Sequence, residues 1–544
     1  MAGFDAWLRH VEAYERNKLD TMMKSKVMSV QEALDFIKSG DTLAITAVGS
    51  VGYPDYIAAK LEERYLEMKS PGGLTLYSAG GHGSGGLGIN DDRFAHVGFL
   101  KRHICTHPLV IPALRGLIED NKLEGYVLPQ GTLNQLYRCS AAHQPGLLTK
   151  IGMGTYVDPR QEGGKLNSIT KEDLVRVMEI DGEEWLFYKS ATINVAIIRG
   201  TYADERGNVT IDKEPLKLEM LECALAAKAS GGKVIVQVEY AVENHSLKAK
   251  DVVIPGQLVD AVVVAEQPEI YHKANRDSRI TPYASGLIRC PPMSLPSPPD
   301  ELKFDDIICR RAAFEFFPGA IINLGLGVGA WTAAVAAYEN MGDVLNFTLE
   351  LGAFGGTPLG LPNFGISVNP ESFVSPPVMF DYYHGGNLDL AILGAAEIDK
   401  DGNVNVSRFA GHANGQGGFI DISQTAKKVV FCTSFTAKGF EGEISGGELH
   451  IFKEGQLPKF VDKVDQITFS GKVARETGQE IYYITERAVF KLTKYGVTLL
   501  EIAPGVDMEK DIFQQMGFKP HIDENLKTMD NRIFCPGKMG LFKA

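Results

Sequence analysis

Apolar and polar positions along this chain alternate between short apolar runs and longer segments with helical spacing. The apolar run at residues 43–47 is followed, after a glycine-containing turn, by an amphipathic segment at 56–68. The run at 321–324 leads in the same way into a helical segment at 331–341. Strands that alternate with helices form parallel sheets, so the pattern predicts an α/β protein with mostly parallel sheets.

Local signals place further elements. Ser29 and Glu32 have the spacing of a capping box, which predicts a helix that begins there and ends near Gly40. Mostly apolar runs at 234–238 and 259–265 are typical of strands that are buried on both faces.

An internal repeat divides the chain into two halves. Three segments of the first half reappear 195 residues later: NVAI at 194–197 as DLAI, DERGNV at 204–209 as DKDGNV, and KVIV at 233–236 as KVVF. Further upstream, GDTLAI at 40–45 resembles GAIINL at 319–324, an offset of 279 residues. The repeat predicts two tandem, structurally similar α/β domains. The difference between the two offsets predicts that the first domain has an insertion of about 84 residues between about 86 and 190.

A proline-rich segment marks the boundary between the predicted domains. Residues 290–300 read CPPMSLPSPPD, and their five prolines disfavour both helix and strand pairing. We therefore predict an N-terminal helical extension at 1–26, a first domain at 27–289, a linker at 290–300 and a second domain at 301–544.

Composition and charge narrow the class of protein. Apolar residues make up 44% of the chain and charged residues 23%, which is typical of a globular protein. The net charge of −13 disfavours nucleic-acid binding. Seven widely spaced cysteines without a CxxC pair indicate reduced thiols, and no segment has the apolar length of a membrane span or the pattern of a signal peptide. The sequence predicts a cytoplasmic protein that binds neither nucleic acid nor membranes.

Two glycine-rich turns are candidate anion sites. GLGVG at 325–329 follows a predicted strand and precedes a helix, so its amides could hold a phosphate or an oxyanion, or the turn could serve packing alone. Gly81, Gly83 and Gly86 match GxGxxG, the pattern of a dinucleotide site. The acidic residue that such a site needs about 20 positions later is missing, which disfavours this interpretation.

Histidines offer weaker signals. His103, Cys105 and His107 match no zinc-site spacing, and we interpret them as part of a core or edge segment, with no metal bound. His82 lies among glycines and is interpreted as a loop residue.

Glu350 is the candidate catalytic residue. The strand-like run 347–349 ends at Glu350, which apolar and glycine residues surround. The carboxyl ends of strands are where α/β sheets place their ligand sites. A poorly hydrated carboxylate beside amide-rich loops is a plausible nucleophile toward an acyl carbon. The alternative interpretation is structural: Glu350 caps a turn or pairs with a lysine.

Several segments together resemble the family I CoA-transferases. They are similar to the long single-chain, short-chain acyl-CoA enzymes of the acetate or propionate CoA-transferase type, which are related to succinyl-CoA:3-ketoacid CoA-transferase. The resemblance extends in family order over about residues 27–518. It is carried by YVLPQG at 126–131, GLLTK at 146–150, GTYVDPR at 154–160, the Glu350 segment, FDYY at 380–383, the region 389–407, GQGGF at 415–419, TAKG at 436–439 and EIAPG at 501–505.

The resemblance implies a fold of two similar α/β domains and a covalent mechanism. Glu350 occupies the E-x-G position of the family nucleophile, and the implied intermediate is a glutamyl-CoA thioester in a ping-pong reaction. Gln130 matches a glutamine that contacts the substrate carboxylate, and Lys438 matches a lysine near bound CoA. The residues implied for the oxyanion hole and CoA binding are Gly325, Gly327, Val328, Gly329, Gly415, Gly417 and Gly418.

One departure concerns the neighbours of Glu350. Many family members have polar residues there, whereas this chain has Leu349 and Leu351, so the usual hydrogen bonds from neighbouring side chains are not expected. The duplicate position in the first half, near Ala79, carries no acid, which predicts one nucleophile per chain.

The predicted function is therefore reversible CoA transfer between a short-chain acyl-CoA and a carboxylate such as acetate. Coenzyme A thioester is the substrate, no tightly bound cofactor is expected, and relatives imply a homo-oligomer, dimer or tetramer. Two alternatives stay open: an acyl-CoA hydrolase that uses the same glutamate, and a non-catalytic CoA- or nucleotide-binding protein that uses the glycines at 81–86.

Overall fold

The computed structural model describes residues 24–83, 88–273, 278–291, 296–360 and 363–541 of the 544-residue chain. Most of the predicted N-terminal extension, Gly86 of the GxGxxG pattern and part of the predicted linker lie outside these residues. Within the described part of the chain, no helix is long and apolar enough to cross a membrane.

The first half is built on an eight-stranded sheet of mostly parallel strands. Its strands are rich in Val, Ile, Leu and Ala because a parallel sheet is buried on both faces and needs apolar side chains on each. The one antiparallel strand, Val209–Thr210, pairs beside Val195–Asp204. In spatial order the seven parallel strands are Ala261–Val264, Lys233–Val242, Val195–Asp204, Thr42–Ile45, Leu74–Ser78, Leu100–Cys105 and Glu124–Val127.

Helices cover both faces of this sheet. Alternate residues of one strand point to opposite faces, so Leu43 and Ile45 pack in one apolar cluster while Ala44 packs in the other. Among the residues described, the helices of the first half are Val30–Leu34, Asp55–Met68, Pro112–Glu119, Gln130–Ala141, Met220–Ala229, Pro268–Tyr271 and Thr281–Ala284.

A separate three-stranded antiparallel sheet lies within the stretch where the insertion is predicted. Its strands, in spatial order, are Gly146–Thr149, Glu183–Lys189 and Val175–Ile180. The strands Leu100–Cys105 and Glu124–Val127 of the main sheet also come from this stretch.

The second half is built on a ten-stranded mixed sheet. Its five central strands are parallel, antiparallel pairings follow on both sides, and the edge strand His521–Thr528 pairs parallel with its neighbour. In spatial order the strands are Ser372–Phe373, Ala353–Phe354, Asn346–Leu349, Ile321–Leu324, Leu390–Gly394, Lys428–Cys432, Glu480–Ile484, Ala488–Thr493, Gly496–Ile502 and His521–Thr528.

Five α-helices and several short strand pairs complete the described part of the second half. The helices are Phe304–Ala312, Thr332–Tyr338, Pro376–His384, Phe419–Thr425 and Gly471–Thr477. The short strands are Thr357–Pro358 with Ser367–Val368, Glu397–Asp399 with Val404–Asn405 and Phe460–Val461, Arg408–Phe409 with His412–Ala413, Thr436–Ala437 with Leu457–Pro458, and Glu441–Ser445 with Glu448–Lys453.

The repeated sequence segments form the same hydrogen bonds in the two halves. In the first half the Asp204 carboxylate accepts from the backbone N–H of Arg206 and Asn208 at 3.0 and 2.9 Å. In the second half the Asp399 carboxylate accepts from the N–H of Asp401 and Asn403, both at 3.0 Å. The segments 204–208 and 399–403 therefore form the same turn. Because each half is also built on a large sheet with a parallel centre, the predicted α/β fold with similar halves is confirmed.

Two predicted helices are shorter than expected. The capping box at Ser29 is present, but the helix Val30–Leu34 stops early because the following residues form tighter i to i+3 turns. The helix predicted at 331–341 is Thr332–Tyr338, and Asn340 just beyond it takes a left-handed backbone conformation with φ 61°.

One of the apolar clusters contains residues from both halves. The cluster on one face of the first sheet includes Leu349, Leu351, Ala353, Ile366 and Ile420 from the second half. The segment that carries Glu350 is therefore packed against the first half.

Candidate active site

A cavity of about 310 Å³ lies between the two halves, and Glu350 is part of its wall. Both halves contribute residues, and most of the wall is apolar. From the first half come Val48, Gly49, Ser50, Val51, Gly81, Gly83, His107, Val110 and Gln130. From the second come Asn323, Gly325, Leu326, Glu350, Leu351, Asn363, Phe364, Ile366, Leu393, Gly394, Val406, Gly415, Gln416, Gly417, Gly418, Phe419 and Ile422.

Glu350 reaches the cavity because its strand ends in a tight turn. The strand Asn346–Leu349 pairs with Ile321–Leu324 and stops at Glu350, whose neighbours Leu349 and Leu351 are buried. The N–H of Gly352 donates to the carbonyl of Leu349 at 2.9 Å. Gly352 has φ 106°, and a Cβ atom there would lie 2.1 Å from the carbonyl oxygen of Val374, so only glycine fits this turn.

A hydrogen bond from the neighbouring strand orients the Glu350 carboxylate. Asn323 Nδ2 donates to Glu350 Oε2 at 3.1 Å and lies 3.3 Å from the Tyr383 hydroxyl, which pairs with Thr348 Oγ1 at 2.7 Å. The contact that the flanking leucines cannot supply comes from Asn323. Sequence reasoning missed Asn323, although a buried polar residue inside the apolar run at 321–324 was a signal.

Burial dominates the electrostatics of Glu350. The residue is 8% exposed, and loss of hydration raises the pKa of its carboxyl above the ordinary value. Its own backbone N–H and Asn323 act in the opposite direction because they bond to the charged form, whereas the nearby Asp421 carboxylate raises the pKa further. A less hydrated carboxylate with a raised pKa is a stronger nucleophile whenever it is ionised.

The loop Gly415 to Gly418 offers one free amide beside Glu350. The N–H groups of Gln416 and Gly417 both donate to the carbonyl of Thr106 at 3.0 Å, and that of Gly415 donates to Ser407 at 3.1 Å. The N–H of Gly418 has no acceptor among the residues that the structure describes. A Cβ atom at Gly418 would lie 3.3 Å from Glu350 Cγ, so this amide is adjacent to the candidate nucleophile.

The turn 325–329 meets the cavity only at its start. Gly325 lines the cavity, but its N–H donates to the carbonyl of Ile392 at 2.9 Å. Gly327, with φ 108°, lies outside the cavity wall. Val328 and Gly329 begin a short 3₁₀ turn, and Gly329 packs against Ile392.

Gln130 and Lys438 differ in their distance from the cavity. Gln130 is buried in the cavity wall, at the start of the helix Gln130–Ala141, and its N–H donates to the carbonyl of Gly417 at 3.2 Å. Lys438 is exposed in the loop after Thr436–Ala437 and is not among the residues that line the cavity.

The histidines fall into two groups. His103 lies in the buried strand Leu100–Cys105, 3.3 Å from Ser78 Oγ and 3.6 Å from the Asp91 carboxylate, and His82 is a buried loop residue 3.4 Å from the same carboxylate. His107 lines the cavity, a position that sequence reasoning did not predict. Burial lowers the pKa of His107 to about 4, so its imidazole is neutral at neutral pH. Across the described ranges, no three His, Cys, Asp or Glu side chains are grouped so as to hold a metal ion.

Comparison with known proteins identifies the family. Residues 27–265 match the family described as Coenzyme A transferase. The chain is 43% identical to caffeate CoA-transferase of Acetobacterium woodii, over 95% of this chain and 99% of that protein. It is 42% identical to acetate CoA-transferase YdiF of Escherichia coli K12, over 94% of this chain and 96% of that protein.

A solved structure agrees with the sequence relatives. The acyl-CoA transferase of Escherichia coli O157:H7, in a thioester complex with CoA, superposes with a TM-score of 0.87 and 39% identity. The match covers 95% of this chain and 97% of that chain. The chain therefore belongs to the coenzyme A transferase family, as the sequence predicted.

Proposed function

We propose that this CoA-transferase moves CoA reversibly between a short-chain acyl-CoA and a carboxylate acceptor, with Glu350 as its nucleophile. The observation that carries the proposal is the position of Glu350, a buried carboxylate that opens onto a cavity between the two halves. Relatives named for acetate and for caffeate are about equally similar to this chain, so their names support the reaction class more strongly than the acyl group.

The chemistry follows from a carboxylate nucleophile. Glu350 attacks the thioester carbonyl carbon, the C–S bond breaks, and a mixed anhydride and CoA thiolate result. The thiolate then attacks the Glu350 carbonyl carbon, which releases the first carboxylate and leaves a glutamyl-CoA thioester. A second carboxylate reverses both steps and takes the CoA, so the kinetics are ping-pong.

The cavity offers donors for the charge that develops on oxygen in each step. The free N–H of Gly418, adjacent to Glu350, is the best-placed backbone donor of those predicted from the sequence. Gly415 and Gly417 support that amide by holding the loop against Thr106 and Ser407. Gln130 faces the same cavity and is proposed to contact the substrate carboxylate.

CoA itself is proposed to extend from the cavity along the second half. Gly325, Gly327, Val328 and Gly329 are proposed to lie beside it, at the carboxyl end of the strand Ile321–Leu324. The exposed ammonium of Lys438 is proposed to offset the CoA phosphates outside the cavity, which suits a chain whose net charge is −13.

Trapping the intermediate tests the proposal. The protein is mixed with acetyl-CoA without an acceptor, reduced with borohydride and analysed by peptide mass spectrometry, alongside Glu350→Gln and the exposed Glu371→Gln. We expect a reduced glutamyl mark on Glu350 in the wild type and in Glu371→Gln, and none in Glu350→Gln.

Other outcomes separate the alternatives. CoA release that continues without acceptor would support an acyl-CoA hydrolase. Intact acetyl-CoA with no mark on Glu350 would contradict the nucleophile and favour a CoA-binding protein. The domain boundaries, a homo-oligomeric state and a cytoplasmic location stay predictions.

A further inference from the structure

Four cavity-lining residues have a buried side-chain polar atom without a hydrogen-bond partner in the described structure. The atoms are His107 Nδ1, Asn323 Oδ1, Asn363 Oδ1 and Gln416 Nε2. Buried polar groups in proteins are nearly always satisfied, so unsatisfied ones that cluster in a cavity mark places where a ligand supplies the partner. The primary amide of Gln416 is a donor of two hydrogen atoms.

The orientation of the Gln416 amide is set from the first half of the chain. The Tyr156 hydroxyl donates to Gln416 Oε1. Tyr156 is buried, and loss of hydration raises the pKa of its hydroxyl, which therefore stays protonated and donates. Because Oε1 is occupied, Nε2 is the end of the amide that is left for a ligand.

The backbone holds Gln416 in place. Its N–H donates to the carbonyl of Thr106 at 3.0 Å, and its carbonyl accepts the N–H of Phe419 at 3.0 Å. The residue is 5% exposed. A fixed, buried donor in a largely apolar cavity favours ligands that carry a hydrogen-bond acceptor. A ligand without an acceptor would leave the N–H group unpaired and out of contact with water, which costs free energy.

We propose that the Gln416 side-chain amide binds the acceptor carboxylate, together with Gln130 from the other half of the chain, and that Tyr156 positions it. Gln130 and Gln416 line the cavity from opposite halves and are linked through Gly417, whose carbonyl accepts the Gln130 N–H. One carboxylate oxygen is held by amide donors while the other attacks the glutamyl carbonyl carbon. This inference rests on the proposed function of Glu350.

Charge explains when the carboxylate binds. Free Glu350 is an acid in the same cavity and repels a second carboxylate when it is ionised. As a glutamyl-CoA thioester it is neutral, and the amide of Gln416 is then the complement of the incoming anion. Recognition of the acceptor is thereby confined to the thioester form of the enzyme.

The test compares Michaelis constants in Gln416→Met, with acetyl-CoA as donor and propionate as acceptor. We expect the KM for propionate to rise roughly tenfold or more, since a charge-assisted hydrogen bond is lost, while the KM for acetyl-CoA changes much less. Tyr156→Phe, which frees the amide to rotate, is expected to raise the KM for propionate to a smaller extent.

Gln466→Met is the matched control. Gln466 is also buried, but its amide is satisfied by Ser407 Oγ at 2.7 Å and Glu162 Oε2 at 2.9 Å. We expect this variant to melt at a lower temperature with an unchanged KM for propionate. Gln416→Glu keeps the shape of the side chain, and its KM for propionate is expected to rise further with pH as the new carboxyl ionises.

The failure modes are distinct. An unchanged KM for propionate in both Gln416→Met and Gln416→Glu, with the Glu350 thioester still trapped, would overturn the role of Gln416 and leave the proposed function intact. If Gln416→Met does not fold, the pH-dependent KM of Gln416→Glu decides in its place. A wild type that forms no thioester would contradict the proposed function itself.

Discussion

At the scale of single residues, the site depends on how one carboxylate is held. Leu349 and Leu351 anchor the backbone on either side of Glu350 by burial, and Asn323 supplies the one side-chain hydrogen bond to its carboxylate among the described residues. Burial and Asn323 act in opposite directions on the pKa of Glu350. Their balance decides how much of the nucleophile is ionised at a given pH.

Asn323→Leu is predicted to shift the pH profile. Loss of a donor to the charged form raises the pKa of Glu350 further, so the acid limb of kcat/KM moves to higher pH, by about one unit or less. The rate below that limb falls up to roughly tenfold, and the rate well above it recovers in part. The measurement is kcat/KM across pH 4 to 9.

Asn346→Leu is the control for this shift. Asn346 is an exposed asparagine at the start of the neighbouring strand, and its side-chain amide donates to the carbonyl of Gly319 at 3.1 Å. Its pH profile is expected to overlay that of the wild type. A uniform loss of rate in Asn323→Leu without movement of the acid limb would show that Asn323 acts only on packing.

At the scale of elements, two helices join the halves beside the cavity. The Gly131 N–H at the start of Gln130–Ala141 donates to Asp421 Oδ2 at 3.0 Å, and His384 Nε2 lies 3.1 Å from Asp421 Oδ1. From the same helix as Asp421, Gln424 accepts the N–H of Gly152 at 2.6 Å and donates to the carbonyl of Met153 at 3.0 Å. The helix Phe419–Thr425 is thus bonded to two separate segments of the first half.

Gly131→Ala is predicted to disturb this junction. The added Cβ atom would lie 2.5 Å from Phe380 Cδ1 and 2.6 Å from Asp421 Oδ1, so the helices must move apart. We expect a loss of about 1–3 kcal/mol in the free energy of unfolding and a marked fall in kcat, because Gln130 moves with the helix. Urea unfolding and steady-state kinetics measure the two effects.

Gly116→Ala separates this clash from the effect of alanine itself. Gly116 lies inside the helix Pro112–Glu119, and a Cβ atom there would meet nothing within 4 Å. Alanine is the better helix former, so the variant is expected to be as stable as the wild type or more stable by up to ~1 kcal/mol. Equal behaviour of the two variants would contradict the proposed role of the junction.

At the scale of the whole molecule, one of the apolar clusters spans both halves. Side chains of the second half, Leu351 among them, belong to an apolar cluster of the first half. Packing across the halves also forms the walls of the cavity. The site therefore exists only when both halves are folded and joined.

Leu351→Ala is predicted to destabilise both halves together. Truncation of this buried side chain removes about 2–5 kcal/mol from the free energy of unfolding. Hydrogen exchange measured by mass spectrometry should show reduced protection in peptides of both sheets. The exposed Leu66→Ala should leave protection unchanged, and a loss confined to the second half would contradict a shared core.

The sequence by itself determined the architecture and the identity of the candidate nucleophile. The repeated DERGNV and DKDGNV segments encode the same local turn, because the Asp204 and Asp399 carboxylates bond to N–H groups only two and four residues away. Strand and helix periodicity is likewise local. Glu350 could be identified as a candidate because a short stretch of sequence is enough to predict the end of its strand and the glycine-rich turn that follows.

Only the tertiary structure decided which groups surround Glu350. Asn323 donates to it from an adjacent strand, and Tyr156 orients Gln416 from 260 positions away. The sequence does not show which backbone N–H groups are hydrogen-bonded. Whether the N–H of Gly417 or of Gly418 is free depends on which carbonyl packs beside it. Hydrogen bonds between residues that are distant along the chain depend on how the strands and the two halves pack together, and local sequence patterns do not predict that packing.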